Sequence, residues 1–326
     1  MRAFVTGGSG FVGRNLIQSL VADDIHVFAL ARSEAAARTV TDLGARVIHG
    51  SLDDQSALEE GCDGADIVFH SAAWVKNWGD PKEAERINVG GTQRLLDAAA
   101  SKKIGRFVHV STEAVLNGGT PLIDADETWP YPEPQKQPGP YPRTKAESER
   151  RVMAAAKAGL PACVVRPRLI WGAGDTAILP MAIAAVRAGR FMWLDGGRHS
   201  TSHVHVRNVV HALRLAADKG ESGETYFVTD GMTHTYKEFF TAQLKTRGVN
   251  PGNRKLPISL AWPLASSCEA IWRTFGLSSV PPINRTEVAV VGLQMTVSDL
   301  KARRELGYAP IVDWDAGVAE MARESQ

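Results

Sequence analysis

Cysteine is scarce in this chain, and no Cys-x-x-Cys pair is present. The three cysteines, Cys62, Cys163 and Cys268, lie far apart in the sequence. This spacing argues against a disulfide framework and against a thiolate metal site. It predicts reduced, mostly buried thiols in a cytoplasmic protein.

Long apolar runs and an excess of either charge are also absent. No stretch of 18 consecutive apolar residues occurs, so we expect no membrane-spanning helix. The start of the chain lacks a cationic and apolar leader, because Arg2–Val5 already has the pattern of a strand, so a cleaved signal peptide is not expected. Lys plus Arg number 37 against 36 Asp plus Glu, which gives no indication of nucleic-acid binding.

The first half of the chain alternates short apolar runs with helical patterns. Strands are predicted at Ala3–Thr6, Val27–Ala31, Arg46–His49, Ile67–His70, Phe107–Ser111 and Ala162–Arg166. Helices are predicted at Gly13–Ala22, Glu34–Leu43, Asn88–Ser101 and Arg143–Ala158. This order predicts an α/β protein with a doubly wound parallel Rossmann sheet, whose ligands bind at the carboxyl ends of the strands.

The alternation weakens after about residue 175, which predicts two parts. Residues 1–174 are expected to form a dinucleotide-binding domain, with a later return of the chain near 203–230. Residues 175–326 are expected to form mainly a smaller α/β substrate-binding part. Within it, Ile258–Phe275 is apolar and partly helical. A core helix or a lid is favoured over a membrane-surface contact, because the segment lacks a cationic polar face.

A glycine-rich turn, Thr6–Gly13, directly follows the first predicted strand and precedes the first helix. In this position glycines allow a tight turn, a close approach of backbone to a pyrophosphate, and close packing of helix on strand. The helix N-terminus then presents free N–H groups to the phosphates. The predicted cofactor contacts in the turn are Gly7, Gly10, Phe11, Val12 and Gly13.

The end of the second strand predicts which dinucleotide binds. Sites for NAD place a carboxylate there, but this chain has Arg32 and Ser33. A guanidinium pairs well with a 2′-phosphate, and Ser33 could add a hydroxyl. NADP is therefore favoured and NAD stays open, since Arg32 could also be an ordinary surface arginine.

Tyr141 and Lys145 form the predicted acid/base pair. A spacing of four places them one helical turn apart on one face. A nearby ammonium group lowers the pKa of a phenol, which can then exchange a proton with a hydroxyl or carbonyl oxygen while hydride moves to or from a nicotinamide. A further hydroxyl, Ser111 or Thr112, follows a strand that points at the same crevice.

Together these residues resemble the extended short-chain dehydrogenase/reductase family over almost the full chain. Within it, the sequence is most similar to the 3β-hydroxysteroid dehydrogenase branch, including bacterial 2-alkyl-3-ketoalkanoate reductases. The segments that carry the likeness are Thr6–Gly13, His70–Ala73, Asn88–Thr92, Ser111–Val115, Tyr141–Lys145, Arg166–Asp175, Pro281–Arg285 and Ala302–Tyr308.

The resemblance implies roles for individual residues. Thr112 would be the catalytic hydroxyl, three residues before Val115, and Tyr141 the acid/base. Lys145 would lower the pKa of Tyr141 and hold the nicotinamide ribose. Further cofactor contacts would come from Ser51, Leu52, Ala72, Ala73, Pro167 and Leu169. The family often has Gly-Asp-Leu near the adenine, whereas this chain has Gly50-Ser51-Leu52 and so lacks that carboxylate. The resemblance also implies a homodimer formed by the helices predicted at Asn88–Ser101 and Arg143–Ala158.

Four tryptophans are candidates for the substrate pocket. They follow strands or lie in the second part, and could wall an apolar cavity or simply pack in the core; they are Trp74, Trp78, Trp171 and Trp193. No metal is expected, since His203 and His205 lack a third ligand at a matching spacing.

The leading functional hypothesis is an oxidoreductase that interconverts a secondary alcohol and a ketone on a hydrophobic substrate, steroid-like or β-keto/β-hydroxy acyl. A sugar-nucleotide epimerase or dehydratase with tightly bound NAD is the alternative, because it uses the same three side chains. A catalytically inactive, NADP-sensing protein is a third hypothesis, against which the intact set of catalytic residue types argues.

Overall fold

The strands come mostly from the first two-thirds of the chain in the computed structural model, which describes residues 1–277 and 279–324. They are β1 (Arg2–Thr6), β2 (His26–Ala31), β3 (Arg46–His49), β4 (Ile67–His70), β5 (Arg106–Val110), β6 (Leu122–Ala125), β7 (Ala162–Pro167), β8 (Ile170–Trp171), β9 (Trp193–Leu194), β10 (Ser200–Ser202), β11 (Val204–His205), β12 (Thr225–Val228), β13 (Thr233–Thr235), β14 (Lys255–Leu256) and β15 (Met295–Val297).

The helices alternate with the strands in the first half and dominate the second. They are α1 (Phe11–Ala22), α2 (Glu34–Asp42), α3 (Gln55–Cys62), α4 (Pro81–Ala84), α5 (Gly91–Ser101), α6 (Pro140–Lys157), α7 (Ile178–Arg187), α8 (Val206–Lys219), α9 (Tyr236–Thr246), α10 (Ile258–Thr274), α11 (Arg285–Gly292), α12 (Leu300–Leu306) and α13 (Trp314–Glu324). A π-helix, Glu85–Gly90, joins α4 to α5, and a 3-10 helix, Glu113–Leu116, follows β5.

The predicted doubly wound sheet is confirmed. In the described residues it has seven parallel strands in the order β12-β7-β5-β4-β1-β2-β3. The strand order reverses between β1 and β4, and a ligand crevice is expected at such a switch point, outside the carboxyl ends of the strands. The glycine turn follows β1, and the segment of Ser111 and Thr112 follows β5, so both lie at this edge.

The predicted strands match the observed ones to within a residue or so, because most of their side chains are apolar and, except in the edge strand β3, mostly buried. In β7, for example, every residue from Ala162 to Pro167 is buried. A continuous apolar run is the pattern of a parallel strand covered on both faces. The helix predicted at Asn88–Ser101 begins as the π-helix and continues as α5, and α3 is an additional helix that the pattern did not predict.

A smaller four-stranded sheet in the order β13-β10-β15-β6 combines three strands of the second part with β6, which comes from the first part. The predicted return near 203–230 contains β12 and α8, which belong to the large sheet layer. Ala302, Leu306 and Tyr308 also pack into the core beside α1 and α8. The division near residue 174 stays a prediction. The last two residues of the predicted second part, 325 and 326, lie outside the described residues.

Helix α10 differs from the core helix that was one expectation for Ile258–Phe275. Ala261, Ala265 and Glu269 are its buried residues, whereas Leu260 and Leu264 are exposed. The helix therefore lies on the surface with a largely uncovered apolar face. Among residues 1–277 and 279–324, no helix is long and apolar enough to cross a membrane.

Candidate active site

The glycine turn has the geometry that a pyrophosphate site requires. Gly7 has φ +74°, in the left-handed region that glycine adopts without strain, and its carbonyl accepts a hydrogen bond from the Gly10 amide at 3.0 Å. A Cβ on Gly13 would lie 2.1 Å from the Gly7 oxygen, so only glycine lets α1 approach this closely. The sequence-predicted roles of the first and last glycines thus have a direct steric basis.

The N-terminus of α1 opens at this turn. Its N-cap, Gly10, has no side chain to cap the helix. The amides of Phe11, Val12 and Gly13 are in the first turn of the helix, where N–H groups have no intrahelical partner. This donor set, with the positive end of the helix dipole, suits a diphosphate.

The loop after β4 closes the other side of the crevice. A Cβ on Gly7 would lie 2.6 Å from the backbone nitrogen of Ala72, so the glycine turn touches the Ala72–Ala73 segment directly. Behind it, the His70 ring bridges the Thr6 and Thr92 hydroxyls at 2.7 and 2.8 Å. Burial, and then the charge of Lys145, lowers the pKa of His70 to about 3, so this ring is neutral.

Arg32 lies beyond the end of β2, and its side chain is exposed. Ser33 is the N-cap of α2, and its Oγ accepts a hydrogen bond from the Ala36 amide at 3.3 Å. Beyond β3, the Ser51 hydroxyl accepts from the Asp53 amide at 3.1 Å, and Leu52 is buried against Gly91. These residues border the β1–β3 side of the crevice, and their contacts with a cofactor remain predictions.

Thr112 and Tyr141 are brought together by the 3-10 helix after β5 and the first turn of α6. Thr112 is the N-cap of that 3-10 helix, and its Oγ1 accepts a hydrogen bond from the Ala114 amide at 3.2 Å. The same hydroxyl lowers the pKa of the Tyr141 phenol. The two groups that sequence spacing predicted to act together are therefore neighbours.

Lys145 follows one turn later on α6 and is buried. Its Nζ donates to the Val110 carbonyl at 2.8 Å and to Nε2 of His109 at 3.1 Å. Because Nε2 accepts, the His109 proton lies on Nδ1, a buried atom for which the described residues provide no partner. Burial lowers the pKa of Lys145 to about 8, partly offset by the Glu149 carboxylate.

The electrostatics at Tyr141 differ from the expectation that Lys145 lowers its pKa. Burial raises the pKa of Tyr141, the Glu113 carboxylate raises it further, and the contact with Thr112 lowers it. Lys145 is not among the groups that shift it. In the protein alone, Tyr141 is therefore held as a phenol.

Ser111, the alternative hydroxyl, points to a different cluster. Its Oγ donates to Oε2 of Glu149 at 2.5 Å. The same carboxylate pairs with Arg166 and accepts from the Tyr131 hydroxyl at 2.6 Å. Ser111 is thus engaged with Glu149. Thr112 also donates to a carboxylate, Glu113, at 2.9 Å, but it is the hydroxyl that lowers the pKa of Tyr141, which favours Thr112 at the reaction centre.

The segment after β7 lies beside this centre. Pro167 and Leu169 are buried, and Leu169 has φ +43°, a conformation that a leucine rarely adopts. Between them, Arg168 forms a buried ion pair with Glu113, with Nη1 and Oε1 2.6 Å apart. Backbone strain of this kind often occurs at ligand sites.

The four tryptophans occupy two different surroundings. Trp171 and Trp193 are buried in the core of the second part, and their Nε1 atoms donate to Asp230 and to the Gly252 carbonyl. This burial favours the packing interpretation for both. Trp74 and Trp78 lie in the loop after β4. Trp74 is also buried, and its Nε1 donates to Glu83 at 3.0 Å, whereas Trp78 is half-buried beneath the Arg273 guanidinium.

His203 and His205 pack rather than converge on a common point. His203 is buried, with Nδ1 2.8 Å from Asp230 Oδ2 and Nε2 2.8 Å from His234 Nδ1. His205 packs edge-on against Trp171. Within residues 1–277 and 279–324, no group of three or more His, Cys, Asp or Glu side chains could hold a metal ion.

Several residues that organise the site were not singled out from the sequence. Asn88 joins the loop after β4 to α6. Its Oδ1 accepts a hydrogen bond from the Trp74 amide, and its Nδ2 donates to the Trp74 carbonyl and to the Thr144 hydroxyl. Glu113 and Arg168 pair across 55 positions of sequence. The polar residues in Ser111–Val115 and Arg166–Asp175 were visible in the sequence, but nothing in their spacing predicts which of them pair.

The residues present fit a nicotinamide dinucleotide. The open N-terminus of α1 would hold the diphosphate. Lys145 has a third N–H with no partner in the described chain, available for a ribose hydroxyl. Thr112 and Tyr141 would face the nicotinamide end of the dinucleotide.

Family comparison agrees with this geometry. The sequence profile of the 3-beta hydroxysteroid dehydrogenase/isomerase family matches residues 4–258. The chain belongs to this family, within the extended short-chain dehydrogenases/reductases, and is an oxidoreductase that acts on CH–OH groups, for which a nicotinamide cofactor is expected.

Curated relatives cover nearly the whole chain. A 4-hydroxy-2-methyl-3-oxo-4-farnesyl-3,4-dihydroquinoline-1-oxide ketoreductase from Stigmatella aurantiaca is 46% identical, over 98% of this chain and 95% of its own. A 2-alkyl-3-oxoalkanoate reductase from Stenotrophomonas maltophilia is 32% identical, over 100% and 99%.

Solved structures share the fold. The crystal structure of gox2253 superposes with a TM-score of 0.79 at 29% identity, covering 98% of both chains. A dTDP-glucose 4,6-dehydratase from Streptomyces venezuelae superposes with a TM-score of 0.78 at 24% identity, covering 99% of this chain and 96% of that one. At that identity the second likeness concerns the fold alone.

Proposed function

We propose that this protein is an NADP-dependent ketoreductase that interconverts a ketone and a secondary alcohol on a hydrophobic substrate, of β-keto/β-hydroxy acyl or steroid-like type. The observation that carries the proposal is the position of Thr112 and Lys145 at the end of β5, where Lys145 donates to the Val110 carbonyl at 2.8 Å, on the carboxyl edge of the sheet that also presents the glycine turn. The relatives named as a ketoreductase and a 3-oxoalkanoate reductase support this choice of substrate.

In the reduction, Tyr141 would donate to the carbonyl oxygen, and Thr112 would turn its hydroxyl proton from Glu113 to the same oxygen. Lys145 would hold the nicotinamide ribose. Reduced nicotinamide supplies a hydride when bound. As the carbonyl carbon accepts it, the π electrons move to oxygen, and Tyr141 donates its phenolic proton there. Trp74 and Trp78 remain candidates for the apolar wall of the substrate site, and Trp171 and Trp193 would act through packing.

The choice of NADP depends on Arg32. Its exposed position beyond β2 leaves the guanidinium available to a 2′-phosphate. The homodimer implied by the family resemblance is also part of the proposal, with α5 and α6 as the paired helices. Sedimentation of the purified protein measures that state directly.

One experiment tests both the reaction and the cofactor. Purified protein is titrated with NADPH and NADH and assayed on a panel of β-keto esters and 3-ketosteroids. We expect Arg32→Ala to weaken NADPH binding about tenfold or more, the effect of losing a charge-assisted hydrogen bond, and to leave NADH binding unchanged. Arg46→Ala is the matched control, because Arg46 is an exposed arginine at the opposite end of the neighbouring strand β3.

Tyr141→Phe isolates the proton transfer. It should reduce turnover by about 10²-fold or more, the typical contribution of general acid catalysis, without loss of NADPH binding. Near-normal turnover in this variant would contradict the mechanism. Co-purified NAD that does not exchange would support the epimerase or dehydratase alternative, and normal dinucleotide binding with no turnover would support the sensing protein.

A further inference from the structure

Lys145 reaches from α6 to the end of β5, where two acceptors hold its ammonium group. Its Nζ donates to the Val110 carbonyl at 2.8 Å and lies 3.1 Å from Nε2 of His109. Lys145 and His109 are only 3% and 0% exposed. An ammonium group has three N–H donors and no lone pair, so Nε2 of His109 must accept. The third N–H is left for the nicotinamide ribose of the proposed cofactor.

The bond to Lys145 fixes the tautomer of His109 at a cost in stability. Burial, the charge of Lys145 and the neighbouring His70 hold the pKa of His109 well below its usual value, so the ring is neutral and carries one proton. With Nε2 accepting, that proton lies on Nδ1, which has no hydrogen-bond partner in the described residues. A buried N–H without a partner destabilises the folded protein. The ring therefore forgoes one hydrogen bond in the orientation that serves Lys145.

The surroundings of His109 would suit an apolar side chain. Side chains alternate along β5, so His109 shares a face of the sheet with Phe107. Phe107 is fully buried there, in a core that includes side chains of α5 and α6. An apolar side chain at position 109 would be buried without an unsatisfied N–H. What the histidine adds is an acceptor for the lysine.

Two titratable residues flank Lys145 on its own helix, Tyr141 one turn before it and Glu149 one turn after it. Burial lowers the pKa of Lys145 to about 8, and the Glu149 carboxylate partly offsets this effect. The oxygens of Glu149 bind three other side chains, those of Ser111, Tyr131 and Arg166. Tyr141 is uncharged, because burial raises its pKa. Within the described residues, Lys145 donates to neither of its helix neighbours.

The titratable groups on the elements around the buried end of Lys145 are also engaged. On β4, the His70 ring is neutral, and its two nitrogens bond the Thr6 and Thr92 hydroxyls. On the 3-10 helix after β5, Glu113 is paired with Arg168. In the described part of the chain, His109 is thus the one side chain that accepts from the lysine.

We propose that His109 is a positioning residue for Lys145, whose Nε2 accepts one N–H of the ammonium group, leaves another for the nicotinamide ribose and favours the charged form of the lysine. A neutral amine would have only two N–H groups for three acceptors, the Val110 carbonyl, His109 and the ribose. An acceptor that bonds the charged form stabilises that form. The inference rests on the proposed dinucleotide-dependent function and adds the residue that orients its lysine.

The test is the pH dependence of the NADPH dissociation constant, measured by fluorescence titration between about pH 6 and pH 9. In the unaltered protein, affinity should fall as the pH rises through the pKa of Lys145, about 8. His109→Leu removes the acceptor, so the pKa of Lys145 should drop and affinity should begin to fall about one pH unit lower. Relative to the unaltered protein, the variant should bind NADPH about tenfold more weakly at about pH 9 and almost equally at about pH 6.

Three further variants assign the effect. His109→Gln should restore the original pH dependence, because its amide oxygen can accept from the lysine. Lys145→Arg should abolish the decline near pH 8, because a guanidinium does not titrate in this range. His205→Leu is the matched control, since His205 is also fully buried with an unpartnered ring nitrogen among the described residues, but packs against Trp171. Its pH dependence should match that of the unaltered protein.

His109→Phe guards against misfolding, because it removes the acceptor but keeps a ring in the core, and it should shift the pH dependence as His109→Leu does. An equal loss of affinity at every pH in these variants would indicate a merely structural role and overturn the inference. The same shift in His109→Gln, or a decline that persists in Lys145→Arg, would also overturn it. A protein that shows the expected pH dependence but reduces no ketone would support the role of His109 and reject the proposed reductase activity.

Discussion

Helices α5 and α10 both carry many apolar side chains, but they use them differently. In α5, Leu95, Leu96 and Ala99 are fully or almost fully buried between α3, α6 and the large sheet. The more apolar α10 exposes Leu264 to 47% and Ile271 to 48%, and buries mainly alanines against α11. Apolar composition therefore predicts burial only where several elements pack around the helix.

The largest contrast between the helices packed on the large sheet, α1 and α5, and the region of α10 is expected at glycine. Gly13→Ala should destabilise the protein by about 3 kcal/mol or more and abolish dinucleotide binding, because its Cβ would lie 2.1 Å from the Gly7 oxygen. Gly276, just beyond α10, has φ +60° with open space around it, so Gly276→Ala should cost only about 1 kcal/mol. Urea unfolding and NADPH titration measure both quantities, and equal costs at the two positions would contradict the packing described for the turn.

Truncation of one leucine in each helix tests the same comparison, with a smaller expected change in the free energy of unfolding. Leu95 is fully buried, so Leu95→Ala should lower the free energy of unfolding by about 2–5 kcal/mol. Leu264→Ala removes the same atoms from an exposed surface and should change it by about 0.5 kcal/mol or less. The measurement is the urea midpoint of both variants. A cost above about 2 kcal/mol at Leu264 would mean that this face of α10 is covered in solution.

The same contrast explains how much the sequence predicts. The central strands of the large sheet contain short apolar runs such as Ala162–Val165, and the glycine turn needs its residue types locally, so both could be predicted without knowing the rest of the fold. The pairing of Glu113 with Arg168 could not, since it depends on how strand ends meet. The outer face of α10 could not either, because burial is decided by what packs against a helix rather than by its own sequence.

At the site, sequence spacing brought Tyr141 next to Lys145 but gave no information on the direction of hydrogen bonds. Whether Ser111 or Thr112 faces Tyr141 depends on Glu149, which draws the Ser111 hydroxyl away. For the same reason, the sequence left open whether the tryptophans line a substrate cavity or pack in the core. Burial of Trp171 depends on Trp314, at 4.6 Å between ring centroids and 143 positions later in the chain.

The last prediction concerns the three thiols. Their reactivity reports how tightly the large-sheet layers and the region of α10 are packed. Cys62 and Cys163 are fully buried in the sheet layers, and burial raises the pKa of each thiol to about 12. Cys268 is half-buried on α10. Because the thiolate is the reactive form, a disulfide reagent added to the native protein should modify one thiol quickly and the other two only on unfolding.

Cys268→Ser assigns that reaction, since it should remove the fast phase and leave the slow one unchanged. Urea-unfolded protein should release three equivalents in the unaltered chain and two in the variant, which fixes the stoichiometry. If a second thiol reacted quickly in the native protein, the sheet layer around Cys62 or Cys163 would open locally at low free-energy cost. The two regions would then differ in composition but not in how firmly they are packed, and the contrast between α5 and α10 would fail.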